Sequence, residues 1–167
     1  MIPPRSVPRS AVVLLVAAAM PLAGQTQPRT QAQAPAQLDA CTLVTVAQVS
    51  AAAGKTVGQG THVTPTFVKT CTWTAQGTVV TLNTQPATFF DGAKGMATQV
   101  AAAAKGNSMS SAGVGDDSYF LIQGTQVMLM VKKGANAFKA TVYDAAMSVD
   151  AKKGVELALA KAALGKI

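Results

Sequence analysis

Histidine, cysteine, charge and aromatic side chains are all scarce in this chain of 167 residues. There is one histidine, His62, and there are two cysteines, Cys41 and Cys71. These side chains alone cannot complete a four-ligand zinc site. Any Ser–His–Asp or Cys–His mechanism would have to run through His62. Charged residues make up 13% of the chain, against roughly a quarter in ordinary soluble proteins. Acidic residues are the scarcer sign, 7 against 14 Lys and Arg, for a formal net charge of +7. Aromatics are only 5%, too few for the stacked platforms of single-strand nucleic-acid binders. No collagen-like glycine triplet or heptad repeat is present, which excludes a fibrous chain. Apolar residues, by contrast, reach 49%. That is too many for a disordered chain, and the length suits one domain.

The N-terminus reads as a targeting segment. Arg5 and Arg9 precede a ten-residue apolar run from Ala11 to Met20, which Pro21 ends and the small residues Ala23 and Gly24 follow. A basic start, a short apolar stretch and small residues form the layout of a secretory signal peptide. The run is short of the roughly 20 residues a bilayer-spanning helix needs, so no transmembrane segment is expected in the mature form. Leu22, Ala23 and Gly24 look like the start of a lipobox, but Gln25 stands where the lipidated cysteine would be required. Residues 1–23 are therefore expected to be a signal peptide and residues 24–38 a disordered linker, rich in Gln, Pro and Ala. Residues 39–167 are expected to form a single α+β domain. Loss of Arg5 and Arg9 leaves 12 basic against 7 acidic residues, about +5. The expected location is secreted or periplasmic.

Export places Cys41 and Cys71 where thiols oxidise, and two is the smallest even set. An intramolecular disulfide is the expectation; a redox or metal-binding pair and two free buried thiols are the alternatives.

Thr45 and Gln48 have the spacing of a capping box, with Val44 and Val49 placed as a hydrophobic staple and Gly54 as a stop. A helix is expected over 45–55. Residues 57–65 read as a loop or irregular edge strand. Strands are expected at 70–74 and 78–84, joined by a turn at 75–77. Pro86 suits a first helical turn. Phe89, Ala93, Met96, Val100 and Ala104 then recur at steps of four and three, an apolar helical stripe. Residues 107–112 read as a polar loop. Strands are expected at 118–122, 127–131 and 138–143, and a final helix over 150–164 carries Val155, Leu159 and Ala162. Short turns between strands imply antiparallel pairing. The expected fold is an α+β two-layer sandwich: an antiparallel sheet of about five strands with helices packed on one face. Phe89, Met96, Val100, Val127, Leu129, Phe138, Val142, Val155 and Leu159 are the expected core.

The segment from Asp39 to Val49, with Cys41, Leu43, Val44, Thr45 and Gln48, resembles the opening of a group of uncharacterised bacterial secreted proteins and lipoproteins. The resemblance extends to Cys71-Thr72-Trp73 and to Gly115-Asp116-Asp117-Ser118-Tyr119. It covers most of residues 39–143 and implies a domain of unknown function, with a fold similar to PsbP-like sandwiches or extracytoplasmic sensor domains. It carries no catalytic residues.

The remaining motifs have structural readings. Asp116 and Asp117 are the adjacent carboxylates, a pairing that can do acid–base work or hold a cation. They lack calcium-loop spacing and fit a turn before a strand. Met128 and Met130 share a strand face and read as core rather than as copper ligands. Gly54-Lys55-Thr56 closes a helix where a phosphate loop would open one, and Val49 stands where that motif needs glycine. The lysines Lys132, Lys133, Lys139, Lys152, Lys153, Lys161 and Lys166 are dispersed, so weak contact with anionic surfaces is the most they suggest.

The leading functional expectation is a non-catalytic envelope or periplasmic domain that binds an unknown envelope protein or a small ligand. Trp73, Asp116, Asp117 and Tyr119 are the candidate surface. No catalytic residue, metal, cofactor or nucleic-acid partner is assigned. The alternatives are a small secreted hydrolase using Asp116 or Asp117 with His62, and a structural or stress-related envelope protein.

Overall fold

The computed structural model describes residues 38–64, 67 and 69–167. The expected signal segment and the linker up to residue 37 lie outside the described residues.

The first local structure is set by caps. A one-turn helix, α1 (Ala40–Leu43), starts at Asp39, whose side chain accepts from the Cys41 N–H at 2.8 Å. The capping box forms as its spacing implies. Thr45 Oγ1 accepts from the Gln48 N–H at 3.2 Å, and Gln48 Oε1 accepts from the Thr45 N–H at 2.8 Å. This opens α2 (Val46–Ala53), which Gly54 closes. Each bond satisfies a donor that the helix itself leaves unpaired.

Seven strands follow, β1 (Thr61–His62), β2 (Thr70–Ala75), β3 (Thr78–Pro86), β4 (Asn107–Ser111), β5 (Asp117–Gln123), β6 (Gln126–Lys133) and β7 (Asn136–Asp144). With α3 (Ala87–Ala103) and α4 (Val149–Leu164) they complete the order. All strands join one antiparallel sheet in the order β1-β2-β3-β7-β6-β5-β4. The α+β class is as expected, but the sheet has seven strands rather than about five. The additional strands are edges. β4, expected as a polar loop, pairs from Asn107 with Gln123 to Ser111 with Tyr119. An edge strand needs only backbone partners on one side, so its polar sequence is no obstacle. The turn before β5 depends on Gly115: its φ is +68°, and a Cβ there would lie 2.5 Å from Lys132 O.

Connectivity decides where the helices lie. β3 is the third strand of the seven and β4 the far edge, so the chain between them must cross β7, β6 and β5. Four strand spacings are about 19 Å, and a 17-residue helix such as α3 spans about 25 Å. α1, α2 and α4 share a core on one face with Trp73, Leu82, Leu129 and Phe138. α3 takes the other face: Phe90 and Ala97 pack with Tyr119, Leu121, Met130 and Ala137. Along β6, Val127, Leu129 and Val131 belong to the first core and Met130 to the second, the alternation a pleated strand imposes. Helices therefore cover both faces, not one.

The phase of α3 also corrects the expected core. Phe89 is 55% and Met96 68% exposed, while their neighbours Phe90 and Ala97 are buried. Ala93, Ala97 and Ala101 present small side chains that let the helix approach the sheet, and Val100 is half-buried. The other expected core residues, Val127, Leu129, Phe138, Val142, Val155 and Leu159, are buried.

Candidate functional site

Cys41 and Cys71 form the disulfide, with Cα atoms 4.9 Å apart, inside the roughly 4.4–6.8 Å such a bond requires. It ties α1 to β2. Asp39 and His62 flank it, and His62 Nε2 lies 2.8 Å from Asp39 Oδ1. Burial pushes the Asp39 carboxyl up, but the His62 contact and the Cys41 N–H outweigh it and hold the group below its ordinary value. Ligand atoms of Asp39, Cys41 and His62 lie within 4.8 Å of one another. With the Cys41 sulfur bonded to Cys71, however, it offers no thiolate, the form that binds metal. Trp73, a candidate ligand-facing aromatic, is 1% exposed. It packs beneath Gly60, where a Cβ would lie 2.6 Å from the Trp73 indole nitrogen and 2.7 Å from Cys71 Sγ.

The two adjacent aspartates are separately engaged. Asp116 accepts from the Gly134 N–H at 2.7 Å and from Lys133 Nζ at 2.8 Å, and both contacts, the backbone one first, lower its pKa. Asp117 accepts from Lys94 Nζ at 2.6 Å, tying β5 to α3. His62 is on β1 and Asp117 begins β5, five strand positions apart. At the usual spacing that is about 24 Å along the sheet, well beyond the hydrogen-bond reach acid–base catalysis needs. The structure thus does not bring together the residues of the hydrolase alternative. The lysines are also largely engaged. Lys55, Lys94, Lys132, Lys133 and Lys153 each pair with an aspartate, and Lys152 donates to Thr125 O.

A cleft of about 500 Å³ lies between α3 and the sheet. That is within the roughly 300–1,000 Å³ of small-molecule sites. Phe89, Met96 and Val100 line it from the helix; Leu121, Met128 and Met130 line it from the sheet. Tyr119, the remaining candidate, also borders it, stacked at a tilt on Phe90 with ring centres 5.4 Å apart. Burial, and secondarily the Asp117 charge, push its phenol pKa up, so it stays neutral. The exposed Phe89 and Met96 are thus the rim of a cleft rather than misplaced core.

Besides Thr88 and Tyr119, two longer polar side chains line this mostly apolar cleft, Gln85 of β3 and Lys139 of β7. Lys139 sits opposite Asn83, with Gln85 two residues further along β3 on the same face, a diagonal that long side chains bridge. Gln85 Nε2 donates to Asn83 Oδ1 at 2.6 Å, and Asn83 Nδ2 donates to Thr70 Oγ1 at 2.5 Å. That relay fixes the amide and leaves Gln85 Oε1 buried with no hydrogen-bond partner. Among the described residues Lys139 makes no ion pair. Sequence reading missed both. Lys139 reads there as the outward side of a half-exposed strand, and only the pairing of β3 with β7 sets it beside Gln85. The shared face of Met128 and Met130 was the one available signal. No protein-family model, curated protein or solved structure matches the chain.

Proposed function

We propose that this protein is exported and acts in the envelope or periplasm as a non-catalytic domain that binds a small, largely apolar ligand in the cleft beneath α3. The observation that carries the reading is the cleft itself: a mostly apolar, partly open hollow of about 500 Å³ with the exposed Phe89 and Met96 at its rim. A methionine-lined wall suits it, because thioether side chains adapt to ligands of irregular outline. The disulfide is consistent with work outside the cytoplasm. The likeness of the Cys41 and Cys71 motifs to exported bacterial domains points the same way.

The test is a binding titration with a neutral, environment-sensitive fluorophore. Gly92 lines the cleft, and a Cβ added there meets nothing within 4 Å. Gly92→Leu therefore fills the site while replacing a poor helix former, which stabilises α3 by about 1 kcal/mol. Saturable 1:1 binding by the wild type, abolished in a Gly92→Leu protein that melts no lower, is the expected result. Absence of saturable binding, or equal binding by the filled variant, refutes the assignment.

A further inference from the structure

We infer that reduction of the Cys41–Cys71 disulfide turns this corner of the domain into a zinc site, with Asp39, Cys41, His62 and Cys71 as its four ligands. One histidine and two cysteines fall one ligand short of such a site, and the fold supplies the missing one. Asp39 is the N-cap of α1, two residues before Cys41. His62 of β1 pairs directly with Cys71 of β2, so their side chains leave the same face of the sheet edge side by side. The Cys41–Cys71 contact brings these two halves together, and ligand atoms of Asp39, Cys41 and His62 lie within 4.8 Å of one another. Zinc bonds of roughly 2.0–2.3 Å at tetrahedral angles hold ligand atoms roughly 3.3–3.8 Å apart. A small closure of the three groups, with the freed sulfurs swung apart, seats the ion. Two sulfurs, an imidazole nitrogen and a carboxylate oxygen suit zinc rather than magnesium or calcium, which take oxygen ligands.

The step that opens the site is thiol–disulfide exchange with a dithiol reductant. A reductant thiolate attacks Cys41 Sγ, and the Cys41–Cys71 bond breaks with its electron pair on Cys71 Sγ. The second reductant sulfur then displaces Cys41, so the reductant leaves as a disulfide and two electrons pass to the protein. The two protons the reductant gives up end on the two cysteines, and zinc releases them to solvent when it binds the thiolates. Access is from one side. Cys71 is fully buried beneath Gly60 and beside Trp73, whereas Cys41 is half-buried. Asp39 and His62 are 34% and 24% exposed, so reductant and ion reach the cluster past them. Four protein ligands leave no open position, so the ion has a structural role. It ties α1 to β2 in place of the disulfide.

The experiment compares the isolated, oxidised protein with the same protein reduced by dithiothreitol and desalted under argon. Each is titrated with cobalt(II) and then with zinc as competitor. The reduced wild type should bind one equivalent of cobalt, with the visible bands of a tetrahedral site and a near-ultraviolet thiolate charge-transfer band, both bleached by zinc. The oxidised protein should show neither band. Zinc should also raise the melting temperature of the reduced protein, since the ion binds the folded arrangement. Asp39→Asn keeps the α1 cap, because asparagine caps as well as aspartate, and His62→Gln leaves both cysteines in place. Each should weaken zinc binding by more than the roughly 10- to 100-fold that losing a hydrogen-bond partner of a metal ligand costs. Equal cobalt spectra before and after reduction overturn the redox control. Unchanged zinc affinity in both variants overturns the four-ligand set and leaves a cysteine pair alone. An octahedral cobalt spectrum, or no binding by the reduced protein, overturns the site itself, whether or not circular dichroism shows that protein folded.

Discussion

Glu156 provides the sharpest test of how this fold is balanced. It lies in α4, is fully buried, and accepts the Val142 N–H on Oε1 at 3.1 Å. The ladder between β6 and β7 ends at Met128 and Thr141, and the carboxyl takes the Val142 donor one residue beyond. Its other oxygen, Oε2, has no partner. Lys152, one turn earlier, spends its ammonium on Thr125 O at 2.8 Å rather than on Glu156. Burial pushes the Glu156 pKa up to about 8, and the Val142 N–H and the Lys152 charge only partly offset it. A carboxyl raised in the folded state is most favourable to folding at pH below its ordinary value of 4.5. Its contribution is lost as pH rises toward 8, because the folded state must hold a proton that the unfolded chain has released. The slope approaches about 1.4 kcal/mol per pH unit, so the loss across the window is on the order of 4 kcal/mol. That is a large part of the roughly 5–15 kcal/mol stability of a domain. Urea unfolding followed by circular dichroism at intervals from pH 4.5 to 8.5 should show the decline in the wild type. Glu156→Gln keeps the Oε1 acceptor and removes the proton, so its stability should be nearly flat over the same window. The difference in slope is the test, since any cost of the buried amide is the same at every pH. A flat wild-type profile, or a variant that shares the wild-type slope, would refute the reasoning.

On the acid side the sign reverses. Lys55 Nζ at 2.6 Å, the Thr78 hydroxyl and the Ala146 N–H hold Asp144 well below the ordinary carboxylate range. Its stabilisation is therefore present above pH 3.8 and lost as pH falls below it, and Asp144→Asn should blunt the acid-side loss measured by the same unfolding curves. The disulfide closes a loop of about 30 residues, worth roughly 3.6 kcal/mol in the chain-entropy model. The unreduced protein should show a two-proton mass deficit, and paired Cys41→Ser and Cys71→Ser substitutions should lower the melting temperature; two alkylatable thiols in the native protein would contradict this. Gly60→Ala should destabilise by about 1–3 kcal/mol through overpacking, because its Cβ would meet the Trp73 ring nitrogen at 2.6 Å; unchanged thermal stability would show that the loop moves aside. N-terminal sequencing of the exported protein should begin between Met20 and about Gln27, and an intact Met1 on the soluble protein would count against export.

Local features of the sequence determined the parts of this protein that depend on neighbours in the chain. The capping box of Thr45 and Gln48 and the turn at 75–77 act over two to four residues. The cysteine pairing was legible for a different reason, since two cysteines leave a single intramolecular partner to choose. The α+β class followed from the order of the elements and the short turns between the strands. Tertiary structure alone decided the rest. Phe89 and Phe90 stand side by side, and periodicity could not say which faced inward until the sheet presented a surface that Ala93, Ala97 and Ala101 could approach closely. The polar residues 107–111 became a strand because β5 offered an open edge, not because of their own preference. Glu156 takes the Val142 N–H because the pairing of β6 with β7 ends at Met128 and Thr141, a relation between distant segments. The cleft depends on the path of α3 across the sheet from β3 to β4, and Gln85 and Lys139 converge because β3 and β7, more than 50 residues apart in sequence, lie side by side. Pairings over such separations are fixed by the summed burial of the whole core, which no short window of sequence contains.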